Sequence, residues 1–357
     1  MDRVYNFNAG PSAMPLEVLQ EARAEFLNYK NTGMSIIEMS HRSPEYAAMH
    51  AETKALLRQL MEIPEDYEIL FIQGGGSLQF LMTAANFLTN KRAAYANTGV
   101  WAKKAMAEAK RFGEAYEACT SADKNHSYIP QKLELKPNTS YLHITANNTI
   151  YGTEWQDFPD VSVPVICDMS SDILSRSVDV KKFSLIYAGA QKNLGPAGVV
   201  IVIVKKAFLE TARADLPPML SYRNYADNDS LYNTPPVFAI YMVNKTLHWI
   251  KAQGGVKAIA ARNREKAQLI YDVIDASRGF YRGHAEKNSR SLMNITFNLP
   301  TQELEKDFIA EGKKRGFIGI GGHRLVGGCR VSAYNAVTPE ACRALADFMK
   351  EYQAKHE

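Results

Sequence analysis

Strand and helix patterns alternate along most of this chain. The run YEILFIQGG is followed by SLQFLMTAANFL, and RAAYANTG by VWAKKAMAEAKRFG. Such alternation predicts an α/β fold with a mostly parallel sheet and helices on both faces, because parallel neighbours need a crossover that covers a face. The apolar strand VVIVIV lacks a period of two and reads as buried on both sides, at the centre of the sheet. From about Val237 to Ser277 the pattern is helical, broken only at Gly254-Gly255, and a domain boundary is expected there. Beyond it, SLMNITFNL, a helix ELEKDFIAEGKKRG, the strand CRVSAYN and a terminal helix from Pro339 describe a smaller α+β unit. The first residues of the chain are expected to pack on that unit. The division so predicted is 16–257 for a large domain, with 1–15 and 258–357 in a small one.

Composition narrows the class of partner. The chain has 357 residues, 46% hydrophobic and 22% charged, which is ordinary for a soluble α/β enzyme. Its formal charge of +4 is spread along the sequence, and the pairs Lys103-Lys104, Lys181-Lys182, Lys205-Lys206 and Lys313-Lys314 are flanked by apolar or acidic residues. Nucleic acid is therefore not an expected partner. The longest apolar run, around Ala197 to Val204, is far short of the roughly 20 residues of a membrane helix. MDRVYNFNAGPS lacks a leader pattern, so a cytoplasmic protein is expected. Cys119, Cys167, Cys329 and Cys342 show no CxxC and no metal-ligand spacing with the histidines; reduced thiols and no metal site are expected.

Two residues at strand ends carry most of the chemistry. Lys192 lies in SLIYAGAQKNLGPAGVVIVIV, just past one apolar strand and before another. A lone lysine there is usually solvated, but Gly189, Ala190, Gly195 and Gly198 keep the nearby backbone bare enough for something bulky to approach. Asp168 ends the strand in VPVICDMSSD, at the edge where open α/β sheets bind ligands, although an acid there equally suits a helix cap. Together they are what a pyridoxal phosphate enzyme needs: an amine to form the imine and a carboxylate to keep the pyridine nitrogen protonated. In GGGSLQF, three glycines follow a strand and Ser77 opens a helix, whose free N–H groups suit a small phosphate. The loop has neither the lysine of a P-loop nor GxGxxG, which argues against a nucleotide. Trp101, opening the next helix, is either packing or a flat support for a planar ring. Thr149, in ANNTIYGTEW, either stabilises a turn or donates to a phenolic oxygen.

Taken in order, FNAGPSAMP, MSHRSPEY, GGGSLQF, TGVWAKKA, CDMSSDILSR, AGAQKNLGPAG, YNTPPVFAIY and GGHRLVGGCRVSAYNA resemble the class V aminotransferases, in particular their phosphoserine-forming branch. The resemblance spans nearly the full length. It implies a fold-type I pyridoxal phosphate-dependent transferase, with a large sheet domain and a smaller α+β carboxyl-terminal domain. It implies transamination from L-glutamate to 3-phosphohydroxypyruvate, with 4-phosphohydroxythreonine as a second substrate of the family. Lys192 would form the internal imine, Asp168 pair with the pyridine nitrogen, Trp101 stack on the ring and Thr149 contact its 3-hydroxyl. Gly76, Ser77 and Gln191 would hold the cofactor phosphate, with Asn233 and Thr234 supplied by the second subunit of a homodimer. Arg330 would clamp the α-carboxylate, while His41 and Arg42, with His323 and Arg324 of the partner subunit, would receive the phosphate or the glutamate side chain.

One departure is plain: some members carry an arginine in the glycine loop, where this chain has Ser77 and Leu78. The rival readings are an aminotransferase for a non-phosphorylated keto acid, a cysteine desulfurase using Cys329, and a non-catalytic phosphate-binding protein.

Overall fold

Seven strands carry the main sheet: β1 (Tyr67–Ile72), β2 (Arg92–Asn97), β3 (Glu114–Thr120), β4 (Thr139–Thr145), β5 (Val165–Asp168), β6 (Leu185–Gly189) and β7 (Val200–Lys205). The computed structural model describes residues 3–89 and 92–357 of the chain. The spatial order is β1-β7-β6-β5-β4-β2-β3. β7 runs antiparallel to both neighbours, and every other pairing is parallel.

The apolar strand VVIVIV therefore lies second from an edge, not at the centre as its composition predicts. Its alternate residues enter two different cores: Ile201 and Ile203 pack on one face of the sheet, Val200, Val202 and Val204 on the other. Burial on both faces removes the period of two, and it says nothing about lateral position. Each side chain so buried contributes ~1.5–3 kcal/mol.

Helices α1 (Leu16–Glu25), α2 (Pro44–Leu60), α3 (Gly75–Phe87), α4 (Val100–Ala109), α5 (Val237–Ala252) and α6 (Gly255–Ala276) follow the expected pattern. α2 and α5 cover one face through Met49, Leu57, Val243 and Leu247. α3 and α4 cover the other through Phe80, Phe87, Ala105 and Met106.

A third core lies beneath a small antiparallel sheet of β8 (Arg282–Gly283), β9 (Asn294–Asn298) and β10 (Cys329–Ser332), with helices α7 (Gln302–Lys314) and α8 (Pro339–His356). The chain's amino-terminal strand joins this unit: Tyr5 and Asn6 pair in parallel with Phe317 and Ile318, and Phe7 is buried in the same core. α6 spans the two units, giving Val256 and Ile259 to the large core and Ala267 and Ile270 to the small one. Among the described residues no helix is long and apolar enough to cross a membrane.

Because β1, β2, β4, β5 and β6 share one direction, their carboxyl ends gather at one edge. Gly74 to Gly76, Thr98, Thr145, Asp168 and Gly189 to Lys192 all leave the sheet there. The edge faces the small unit and the segment after Phe7.

Candidate active site

Lys192 is held by the turn that joins β6 to β7. Ser12 clamps that turn, its N–H donating to Gln191 O at 3.0 Å and its hydroxyl to Lys192 O at 2.7 Å. The Asn193 amide donates to Ile173 O at 3.1 Å, fixing the other side. Gly10 packs against the lysine itself, since a Cβ there would lie 3.4 Å from Lys192 Cγ. The Nζ donates to Thr149 Oγ1 at 2.6 Å. Burial pulls the amine down to about 8, with the Arg330 charge acting in the same direction and Asp168 opposing it.

Asp168 is buried at the end of β5 and accepts the Ser170 N–H at 2.9 Å. No helix follows it, only turns through Ser175, so a helix cap is not its role. Burial pushes its carboxyl up, while Ser170, the Lys192 charge and the Tyr187 hydroxyl oppose that shift.

These two groups face one cavity of about 290 Å³. Of the residues singled out in the sequence, Gly76, Ser77, Trp101, Thr149, Asp168, Gln191, Lys192, His323 and Arg330 line it. His41, Arg42, Asn233, Thr234 and Arg324 do not. Asn233 instead reaches the amino end of its own chain's glycine loop, Nδ2 to Gln73 Oε1 at 3.4 Å, and Thr234 is exposed. Arg42 and Arg324 are exposed, while His41 Nε2 is buried without a partner among the described residues. The resemblance gives His323 to a second subunit, whereas the structure sets His323 of the same chain on the cavity wall.

The wall suits an anionic, planar guest. α3 begins at Gly74, whose φ of +96° belongs to the left-handed region, and no side chain caps the helix. The first-turn N–H groups at Gly76 and Ser77 are thus open to an anion at the positive end of the helix dipole. Arg330 Nη1 donates to the Thr149 carbonyl at 3.1 Å, and its Nε is buried with no protein partner among the described residues. Trp101 Nε1 is likewise unpaired among them. Lys104 Nζ lies 4.8 Å from the Trp101 ring centre, and burial together with Arg330, Arg324 and Lys104 holds the His323 imidazole below its usual value. One end of the cavity is therefore basic.

Several contributors escaped the sequence reading. Ser171 Oγ receives hydrogen bonds from Thr149 Oγ1 at 3.1 Å and Asn147 Nδ2 at 2.9 Å, so it orients the threonine that Lys192 touches. Ser170 and Ser171 were visible in CDMSSD and Asn147 in ANNT, but nothing local distinguishes them from turn residues. Cys329 is buried in the small core, and burial pushes its thiol up, against thiolate chemistry at the cavity.

A buried lysine and carboxylate sharing a cavity with an uncapped helix start define a cofactor-dependent group-transfer site on an α/β frame. The chain belongs to the family described as aminotransferase class-V, which matches residues 4–345. At the level of individual proteins, the similarity is to phosphoserine aminotransferases. That of Bacillus subtilis (strain 168) is 55% identical over 359 residues, covering 100% of both chains. That of Lysinibacillus sphaericus (strain C3-41) is also 55% identical, with 99% of each covered. Among solved structures, the phosphoserine aminotransferase from Bacillus circulans subsp. alkalophilus matches with a TM-score of 0.98 at 52% identity, over 100% of both chains. The PLP-bound phosphoserine aminotransferase from Trichomonas vaginalis matches with a TM-score of 0.93 at 39% identity, over 98% of this chain and 100% of that one.

Proposed function

We propose that this chain transfers the amino group of L-glutamate to 3-phosphohydroxypyruvate, giving O-phospho-L-serine and 2-oxoglutarate, with pyridoxal 5′-phosphate as cofactor. The observation that carries the reading is the meeting of Lys192, Asp168 and the amino end of α3 at one cavity, in a chain related over its whole length to phosphoserine aminotransferases. When bound, pyridoxal phosphate supplies an aldehyde for amines and a protonated pyridine ring that accepts electron density from the substrate α-carbon.

Lys192, whose amine burial lowers to about 8, would be the nucleophile toward that aldehyde. Its amine, once free, would serve as the general acid and base that moves the proton of the substrate α-carbon. Asp168 would hold the pyridine N–H, Trp101 would support the ring, and Thr149, whose Oγ1 accepts from Lys192 Nζ, would meet the 3-hydroxyl. Gly76, Ser77 and Gln191 hold the cofactor phosphate, joined by Asn233 and Thr234 of a second subunit. Arg330 clamps the α-carboxylate, for which a guanidinium fork has the right geometry. His41 and Arg42, with His323 and Arg324 of the partner subunit, would receive the distal anion, whether a phosphate or the glutamate carboxylate. Without an arginine in GGGSLQF the distal anion is left to these remaining basic residues, and 4-phosphohydroxythreonine is the second candidate substrate.

The active form is a homodimer, a reading supported by the exposed Phe26, Met34 and Phe238, and its proposed location is the cytoplasm. Residues 16–257 form the cofactor domain, and 1–15 with 258–357 the domain that faces it, in keeping with the separate cores.

Half-reactions followed by absorbance test this. Glutamate should abolish the band of the lysine-bound cofactor, and 3-phosphohydroxypyruvate, but not pyruvate, should restore it. Restoration by pyruvate or glyoxylate alone would keep the aminotransferase and discard the phosphorylated substrate.

A further inference from the structure

To pair with a protonated ring nitrogen, Asp168 must stay ionised while buried, against the cost of desolvation. Lys192 is an unreliable helper, because its charge is lost whenever the amine is neutral or bonded to the cofactor. The Ser170 N–H is one permanent donor to the carboxylate, and a buried charge calls for a second.

The strands beneath the site supply one. Asp168 on β5 pairs in register with Tyr187 on β6, so the two side chains leave the same face of the sheet, and the Tyr187 hydroxyl is among the groups that hold the Asp168 carboxyl down against the effect of burial. The same hydroxyl lies 2.9 Å from Nε2 of His143 on β4. Tyr187 and His143 are both fully buried. Tyr95 stacks on the imidazole with ring centres 5.1 Å apart and an angle of 26°, and its own hydroxyl is tied to Tyr141 at 2.8 Å.

Proton counting decides the orientation of this chain of hydrogen bonds. Burial holds His143 neutral, so it has one ring proton for two nitrogens, and Nδ1 has no partner among the described residues. With the proton on Nδ1, a buried N–H would go unpaired, and Tyr187 would have to donate to the histidine instead of the carboxylate. With the proton on Nε2, both donors are used and only a weak acceptor is left bare.

We infer that His143 Nε2–H donates to the Tyr187 oxygen, and Tyr187 O–H to Asp168, a two-step chain that fixes the carboxylate as the ionised partner of the cofactor's ring nitrogen. Tyr187 and His143 are positioning residues, and the inference rests on the reading of Asp168 given above. It goes beyond the roles already proposed, since neither residue lines the cavity.

The test uses the holoenzyme with ring-¹⁵N pyridoxal phosphate. In Tyr187→Phe the ring nitrogen signal should move toward that of unprotonated pyridine at about pH 8, and cofactor affinity should fall about tenfold. Tyr187→Phe/His143→Phe removes both polar partners, so it restores an apolar match at the buried site while keeping both effects. A role confined to packing would lower stability and leave the ¹⁵N signal where it is, which would overturn the inference. A second measurement needs no variant: ¹⁵N chemical shifts of His143 in the parent should show Nε2 protonated and Nδ1 bare, and the opposite tautomer would also overturn it. Asp168→Asn separates the two levels. If it leaves the ring nitrogen unchanged, the underlying reading of Asp168 is wrong; if only it shifts the signal, the donor chain alone fails.

Discussion

Lys192 is a nucleophile only without its proton, and burial meets that condition by pulling the amine down to about 8. Below that value the neutral fraction grows tenfold per pH unit. Capture of pyridoxal phosphate by the apo-protein is therefore expected to speed up from about pH 6 to pH 8 and level off beyond. Stopped-flow absorbance measures this, and a flat profile would place the reacting amine elsewhere. Lys192→Ala should retain its fold and lose turnover by about 10³-fold or more, because nucleophile and proton carrier vanish together. Arg330 permits a different test. Its Nη1 is committed to the Thr149 carbonyl at 3.1 Å, while its buried Nε has no protein partner among the described residues. Arg330→Lys replaces a fork by a point charge, so KM for glutamate and for the keto acid should both rise about tenfold or more. A selective rise for one substrate would mean that Arg330 reads the distal group instead.

Secondary elements explain what local sequence can and cannot reveal. The glycine loop, the strands and the long helices were legible because period and punctuation are local properties. The lateral place of β7 was not, since Ile201 and Val202 report only that both faces are covered. The supports of the site were not legible either: Tyr187 on β6 and His143 on β4 meet across the intervening β5, and their separation in sequence hides the bond. Lys266 on α6 is the sharpest such case. It reads as a solvated helix lysine, yet it is fully buried, and its Nζ donates to Ala333 O at 3.0 Å and Tyr334 O at 2.7 Å. A neutral amine has two N–H groups for those two carbonyls, and burial draws Lys266 down to about 7. The unfolded chain thus binds the proton between about pH 7 and pH 10.5 while the folded chain does not, so this lysine makes stability rise with pH across that window. Lys266→Met removes the effect and orphans two carbonyls. Denaturant unfolding should show it costing ~1–3 kcal/mol at about pH 9 and less at pH 7; a cost that grows as pH falls would mean a charged lysine in the fold.

At the scale of the whole molecule, the proposed homodimer needs apolar surface to bury. Phe26 and Phe238 are 41% and 36% exposed, and their rings meet edge-on at 6.2 Å. Phe238 also stacks on the buried Tyr241, which meets the buried Tyr29 edge-on, and the Tyr29 N–H donates to the carbonyl of Met34, whose side chain is 43% exposed. Exposed aromatic side chains that touch one another, as Phe26 and Phe238 do, suit the interface of the proposed homodimer. Asn233 and Thr234 lie just upstream of Phe238 and outside their own chain's cavity, which is where residues meant for a neighbouring copy would sit. A two-fold pairing through this face buries the patch once per subunit and delivers each YNTPP segment outward, as an isologous interface requires. Sedimentation equilibrium of the parent should return twice the chain mass. Phe238→Asp, which places a charge in the patch without touching Lys192 or Asp168, should return the monomer. Its affinity for pyridoxal phosphate should fall about tenfold or more, since the charge-assisted bonds supplied by a partner are lost together. A Phe238→Asp protein that remains dimeric would move the interface elsewhere, and a monomer that binds the cofactor at full strength would show that each cavity is complete within one chain.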